Sequence, residues 1–306
     1  MAREAFIEKP FSQPHQEVIR QANAIIAEYQ RQGFTLTLRQ LYYQFVSRDL
    51  IANKQTEYKR LGSIVNAGRL AGKIDWSAIE DRTRNVRKPN VWDSPTQIID
   101  AVAEQYQEDI WQGQSYRPEV WIEKDALVGV IEPICERYRV PYFACRGYSS
   151  QSEQYAAGLR FRRIFRAGLT PIVLHLGDHD PSGIDMTRDN ADRLSMFAGR
   201  EVEVRRLALN WEQIEEYDPP PNPAKETDSR SGGYKQQFGD SSWELDALDP
   251  PTISGLIEDV LEELIDRETW DARVSQEETA KSVLTDVSHN WDEVVTFLRG
   301  EDEEGA

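Results

Sequence analysis

The sequence predicts an α/β protein: a helical N-terminal module, then a mostly parallel sheet flanked by helices. Two observations carry this. Apolar residues recur at three- and four-residue spacing through the first seventy positions, and after Pro118 short β-branched runs alternate with longer helical patterns. A third observation fixes attention on one place. The run "PIVLHLGDHDPSGIDM", starting at Pro171, ends an apolar strand in two aspartates, Asp178 and Asp180, that are separated by one residue. Two anions this close repel, so a cation is expected beside them.

Residues 13–32 set Val18, Ile19, Ala22, Ile25, Ile26 and Tyr29 on one helical face, and Gly33 closes the helix. "TLTLRQLYYQFVSRDLI" predicts a second helix with Thr37 as N-cap and Leu38, Leu41, Tyr42, Phe45 and Val46 on its apolar side. A third helix is expected from about Thr56 to Ala71, followed by a short extended piece, "KIDWSAIED". Three helices, a small strand element and a basic flank point to a helix-turn-helix or winged-helix module. "RKPNVWDSPTQ" marks a boundary and "IIDAVAEQYQEDIW" a connecting helix.

The second half reads strand ("EVWIEK"), helix despite Pro133, strand ("VPYFAC"), long helix, strand ("TPIVLHLGD"), helix and final strand ("EVEVRRLAL"). Such βαβ units place ligands beyond the carboxyl ends of the strands. Residues 218–242 are expected as a long polar loop, residues from Pro251 return to helix, and "EDEEGA" forms an acidic tail. The chain thus divides into an N-terminal helical extension (1–33), a winged-helix-like module with its connecting helix (34–112), and a sheet domain with a C-terminal helical acidic extension (113–306).

The chain has 306 residues and a formal charge of −17, which by itself disfavours a nucleic-acid partner. Position matters more than the sum. From Glu258 onward sixteen acidic residues face four basic ones, whereas Arg48 to Lys88 holds ten basic residues against five acidic. Within that basic stretch Arg69 and Lys73 are candidate phosphate contacts. No apolar run is long enough to span a bilayer and no signal peptide opens the chain, so a cytoplasmic, membrane-free protein is expected. Cys135 and Cys145 form no CxxC pair and are expected to be small buried hydrophobes. "GRLAGKI" fails as a phosphate-binding loop, because one spacer residue is missing and Ile74 stands where a Ser or Thr would bind magnesium.

Glu123 ends the strand "EVWIE". If that strand neighbours "IVLHLGD", three carboxylates (Glu123, Asp178, Asp180) meet at one sheet edge, which is a site for a hard cation such as Mg²⁺. The intervening His175 and His179 do not suit such a site as ligands.

The residues match a pattern. Glu123 with Lys124 after one strand, Gly147 after the next, and then "GDHDPSGID" resemble the Toprim domain of topoisomerases, primases and related nucleases. The DxDPxG form is similar to that of the topoisomerase VI A subunit and the related meiotic double-strand-break proteins. "TLRQLYYQ" resembles the winged-helix motif of that group, and "NPAKETDSR" and "WELDAL" resemble the segments that follow its Toprim sheet. At this length the chain resembles the small stand-alone members. The resemblance implies that Tyr43 is a nucleophile with Arg39 as its companion, and that Mg²⁺ sits on the carboxylates. It further implies that double-stranded DNA is cut through a phosphotyrosyl intermediate by a homodimer in which one subunit's tyrosine meets the other's metal site, with a separate ATPase subunit as a further partner. Two alternatives stay open: a Toprim nuclease in which water attacks, and a DNA-binding scaffold whose site is silent.

Overall fold

The computed structural model describes residues 4–79, 89, 91–223 and 231–300. Part of the basic stretch (80–88), most of "NPAKETDSR" (224–230) and the acidic tail (301–306) lie outside them. The chain forms two compact units, Met1–Arg84 with Arg117–Glu263, and Asn85–Tyr116 with Leu264–Ala306. This division is not the linear one expected at 33/34 and 112/113. The N-terminal helices belong to the same unit as the sheet, and the connecting helix belongs with the chain's end.

In the first unit, α1 (Gln13–Arg31), α2 (Leu38–Ser47) and α3 (Gln55–Leu70) share one core built from Ile19, Ile25, Leu41, Phe45, Leu61 and Ile64. Thr37 opens α2 as anticipated. Its hydroxyl accepts from the Gln40 amide while Gln40 Oε1 accepts from the Thr37 amide at 2.8 Å, a capping box. Helix α2 is not simply amphipathic, because Gln40, Tyr43 and Gln44 are buried along with the apolar positions. It is covered on a second side by the turn Leu245–Ala247, whose Ala247 joins the same core. The strand expected after α3 is a 3₁₀ turn (Trp76–Ala78) with one bridge from Ile79 to Leu36. Asp75 explains this, since its carboxylate accepts from both the amide and the hydroxyl of Ser77 and draws the backbone out of an extended form.

Helix α4 (Pro95–Gln105) belongs to the second unit. The chain then enters a parallel sheet of β1 (Tyr116–Ile122), β2 (Tyr142–Ala144), β3 (Thr170–Leu176) and β4 (Glu203–Ala208), in the order β2-β1-β3-β4. Helices α5 (Val128–Arg137), α6 (Gln151–Arg166) and α7 (Pro181–Ala198) form its crossovers. Trp121, Phe161, Val173 and Leu194 pack one side of it. Gly158 permits the close approach of α6 and α7, as a Cβ there would sit 2.3 Å from Phe197 Cβ. Helix α8 (Trp211–Tyr217) follows.

The polar stretch 218–242 is not one loop in its described part. It holds β5 (Asn222–Pro223), α9 (Ser231–Phe238) and β6 (Ser241–Ser242), with β5 and β6 antiparallel. Tyr234 and Phe238, one helical turn apart, anchor α9 on His179 and override its two glycines. Helix α10 (Pro250–Leu264) closes the unit and sends Ile253, Ile257 and Leu261 into its core.

The second unit packs α4 against α11 (Arg267–His289), followed by α12 (Trp291–Arg299). Trp111 meets Trp270 edge to face at 5.5 Å, and Gln114 exchanges two hydrogen bonds with the Asp266 backbone. Both cysteines are buried thiols. No helix among the described residues is long and apolar enough to cross a membrane.

Candidate functional site

Strands β1 and β3 are neighbours, and their last residues set the site. The Glu123 amide donates to the Leu176 carbonyl at 2.8 Å, and Glu123 Oε2 accepts from the Asp178 amide at 2.9 Å. Gly177 leaves room for this, since a Cβ there would stand 3.0 Å from Glu123 Oε2. Asp178 Oδ1 accepts from the Leu245 amide at 2.8 Å and from Lys124 Nζ at 2.9 Å. Asp180 does different work. It is the N-cap of α7, where its Oδ1 accepts from the Gly183 amide at 2.7 Å and the Ser182 hydroxyl at 3.0 Å.

The structure therefore brings Glu123 and Asp178 together, with Asp180 alongside as a charge that Glu123 feels. Among the described residues no set of three or more His, Cys, Asp or Glu side chains is arranged to hold a metal ion. Burial, then the Asp178 charge, pushes the Glu123 carboxyl up to about 7, and burial raises Asp178 against the pull of Lys124. The pair thus retains a proton into the neutral range. Mg²⁺ asks for one or two carboxylates and completes its shell with water and phosphate oxygens. An all-oxygen pair that repels itself fits that ion.

The cations expected beside the aspartates are present on both sides. Lys124 Nζ also reaches Asp246 Oδ1 at 2.5 Å and Glu244 Oε2 at 3.1 Å. Burial of the ammonium is outweighed by these carboxylates, so it stays charged. Behind the loop lies Arg206 of β4, whose guanidinium donates to the carbonyls of Asp178 (2.6 Å), Gly177 (3.1 Å), Gly183 (2.9 Å) and Leu209, and to Thr187 Oγ1. His175 is buried against Thr187 and His179 against Tyr234, and burial lowers them to about 3 and about 4. Both are therefore neutral, hydrogen-bonded imidazoles packed into the fold.

Gly183 is a sharp constraint. A Cβ there would lie 2.1 Å from the Asp178 carbonyl oxygen, which is backbone and cannot swing away. Gly183→Ala is expected to lose about 2–3 kcal/mol in a thermal or urea melt and to move Asp178 off Glu123.

Tyr43, in α2, is 4% exposed, and its side chain lines a cavity of about 340 Å³ together with Arg39, Asn53, Lys54, Asn222 and Glu244. Its hydroxyl accepts from Asn222 Nδ2 at 3.5 Å. Burial, then Glu244, pushes the phenol up to about 12, while Asn222 and Arg39 pull the other way. Arg39 does not bond the hydroxyl. Its guanidinium lies 5.9 Å from the ring centroid and pairs with Glu244 and with Asp246 Oδ2 at 2.7 Å. A chain of ion pairs therefore runs from Arg39 through Glu244 and Asp246 to Lys124 and Asp178. Against its burial, the two cations hold the Glu244 carboxyl down to about 2.

The two candidate phosphate contacts differ. Arg69 is spent on its own module, donating to the carbonyls of Trp76 and Ile79 and stacking 4.8 Å from the Trp76 ring. Lys73 is exposed. Asn222, Arg206, Glu244 and Asp246 received no role from the sequence. The signal for Arg206 was available, as a charged residue inside a strand of a covered parallel sheet needs a partner. No protein-family model matches the chain, and no curated protein matches it.

Proposed function

We propose that the chain cleaves double-stranded DNA by Mg²⁺-dependent tyrosine transesterification, as a small homodimeric relative of the topoisomerase VI A subunit with winged-helix and Toprim modules. The observation that supports this reading best is the ion-pair chain that ties the Tyr43 cavity to the Glu123–Asp178 edge within one compact unit.

In this reading Tyr43 Oη attacks a backbone phosphorus, an O–P bond forms and the bond from phosphorus to the sugar oxygen breaks. The phenol proton is lost and the sugar oxygen gains one. Glu123 and Asp178 would hold Mg²⁺, with Asp180 beside them; the ion supplies charge stabilisation at the phosphate and the leaving oxygen. Arg39 competes for two partners: free of DNA it is neutralised by Glu244 and Asp246, and an incoming phosphate offers it another anion. That exchange would release positive charge toward the Tyr43 ring.

The test is a denaturing gel of end-labelled duplex incubated with protein and Mg²⁺. A labelled adduct is expected from the wild type and none from Tyr43→Phe. Asp180→Ala is expected to cost about 1 kcal/mol as a lost helix cap while reducing cleavage at least a hundredfold and leaving most DNA binding. Cut product without adduct would replace the tyrosine by water, and binding without any cut would leave a scaffold.

A further inference from the structure

Asn222 lies outside the carboxylate edge, yet it supplies the hydrogen bond made to the Tyr43 oxygen among the described residues. A chain of three bonds sets which way its amide faces. The Tyr42 hydroxyl donates to Asn53 Oδ1 at 2.9 Å. Asn53 Nδ2 donates to the Pro221 carbonyl at 3.0 Å and to Asn222 Oδ1 at 3.0 Å. A carbonyl can only accept, so Pro221 decides the orientation of Asn53, and Asn53 in turn claims the oxygen of Asn222. The NH₂ of Asn222 is left to point at Tyr43 Oη. Its backbone is pinned as well, because Asn222 pairs with Ser242 across β5 and β6 and its carbonyl accepts from the Ser242 hydroxyl at 3.4 Å.

We propose that Asn222 is a catalytic residue of the Tyr43 reaction, donating a hydrogen bond that stabilises the phenolate oxygen as it attacks phosphorus, with Asn53 as the positioning residue that aims it. This rests on Tyr43 being the nucleophile. A donor at the oxygen favours the charged form, and one at the long end of the range in the resting chain shortens as charge develops. The site needs such a group. Burial and the neighbouring carboxylates Glu244 and Asp246 oppose ionisation of Tyr43, and Arg39, the cation over the ring, is already paired with both of them. Lys54 also lines the cavity but makes no hydrogen bond to the oxygen among the described residues, whereas Asn222 brings a neutral donor that no carboxylate can neutralise.

The experiment places ring-fluorinated tyrosine at position 43 of the full chain and follows its ionisation by fluorine NMR without DNA. Asn222→Leu is expected to raise the phenol pKa by about one unit. Asn222→Asp should raise it further, since the isostere keeps an oxygen for Asn53 and swaps the donor for an anion. Asn222→Ser, which keeps a donor, should fall between the wild type and Asn222→Leu and covers the case in which the leucine variant does not fold. In parallel, Asn222→Leu should slow adduct formation about tenfold at neutral pH, with the rate recovering as pH rises. Unchanged titration in Asn222→Leu and Asn222→Asp overturns the assignment, even where Tyr43 still forms the adduct. A shifted titration in a protein whose adduct survives Tyr43→Phe instead overturns the nucleophile and leaves the hydrogen bond.

Discussion

Glu123→Gln makes the protein more stable at pH 8 and inactive. Glutamine keeps an oxygen to accept from the Asp178 amide but removes a buried charge that repels Asp178. The sign follows from linkage. Burial and the Asp178 charge push Glu123 in the fold up to about 7, above the ordinary carboxylate value, so the stability tied to its proton is fully present below the unfolded value. It is lost as pH rises through the folded value. At about pH 8 the wild type without metal carries that penalty and the variant does not, a gain of about 2 kcal/mol that shrinks toward zero near pH 4–5. Urea melts at the two pH values measure it. Cleavage should fall at least a thousandfold, and Mg²⁺ should raise the melting temperature of the wild type but not of Glu123→Gln. A variant less stable than the wild type at pH 8 would mean that Glu123 is a structural group and not a strained ligand.

Arg206→Met is expected to cost about 3 kcal/mol, the largest single loss of stability here. The side chain is half-buried, feels the charges of Glu123, Asp178 and Asp180, and ties the carbonyls of Gly177, Asp178 and Gly183 to the end of β4. Methionine fills much of the same volume and offers no donor, so the Asp178 and Leu209 carbonyls lose their guanidinium partner and the carboxylates lose a counter-charge. Arg206→Lys keeps the charge without the fork and should recover only part of the loss. Equilibrium unfolding at neutral pH reads both. A near-neutral Arg206→Met would place the counter-charge for Asp178 on Lys124 alone.

What could be read in advance follows the reach of each signal. Helix α1, the Thr37 cap and the alternation of β1 to β4 are local patterns, and the chain alone carries them. The adjacency of β1 and β3 was a condition that the chain alone does not supply; the strand order meets it and sets Glu123 beside Asp178. Side-chain direction did not follow. The DxD spacing gave two equivalent aspartates, but Asp180 turns to cap α7 because it is followed by Pro181, Ser182 and Gly183, a helix start that claims its oxygen. Non-local partners were out of reach altogether. Glu244 and Asp246 meet Arg39 across about two hundred residues of chain, and Asn222 meets Tyr43 across a comparable span. The pairing of α4 with α11 is also not a local signal, because the whole sheet lies between them in the chain and they meet only in space.

The most direct measurement locates the covalent bond. The full chain is incubated with duplex DNA and Mg²⁺, the mixture is denatured and digested with protease and nuclease, and the modified peptide is sequenced by mass spectrometry. The expected result is a nucleotide joined through phosphate to Tyr43, absent when Mg²⁺ is chelated before mixing. Cut DNA with an unmodified Tyr43, or an adduct on any other side chain, would contradict the assignment.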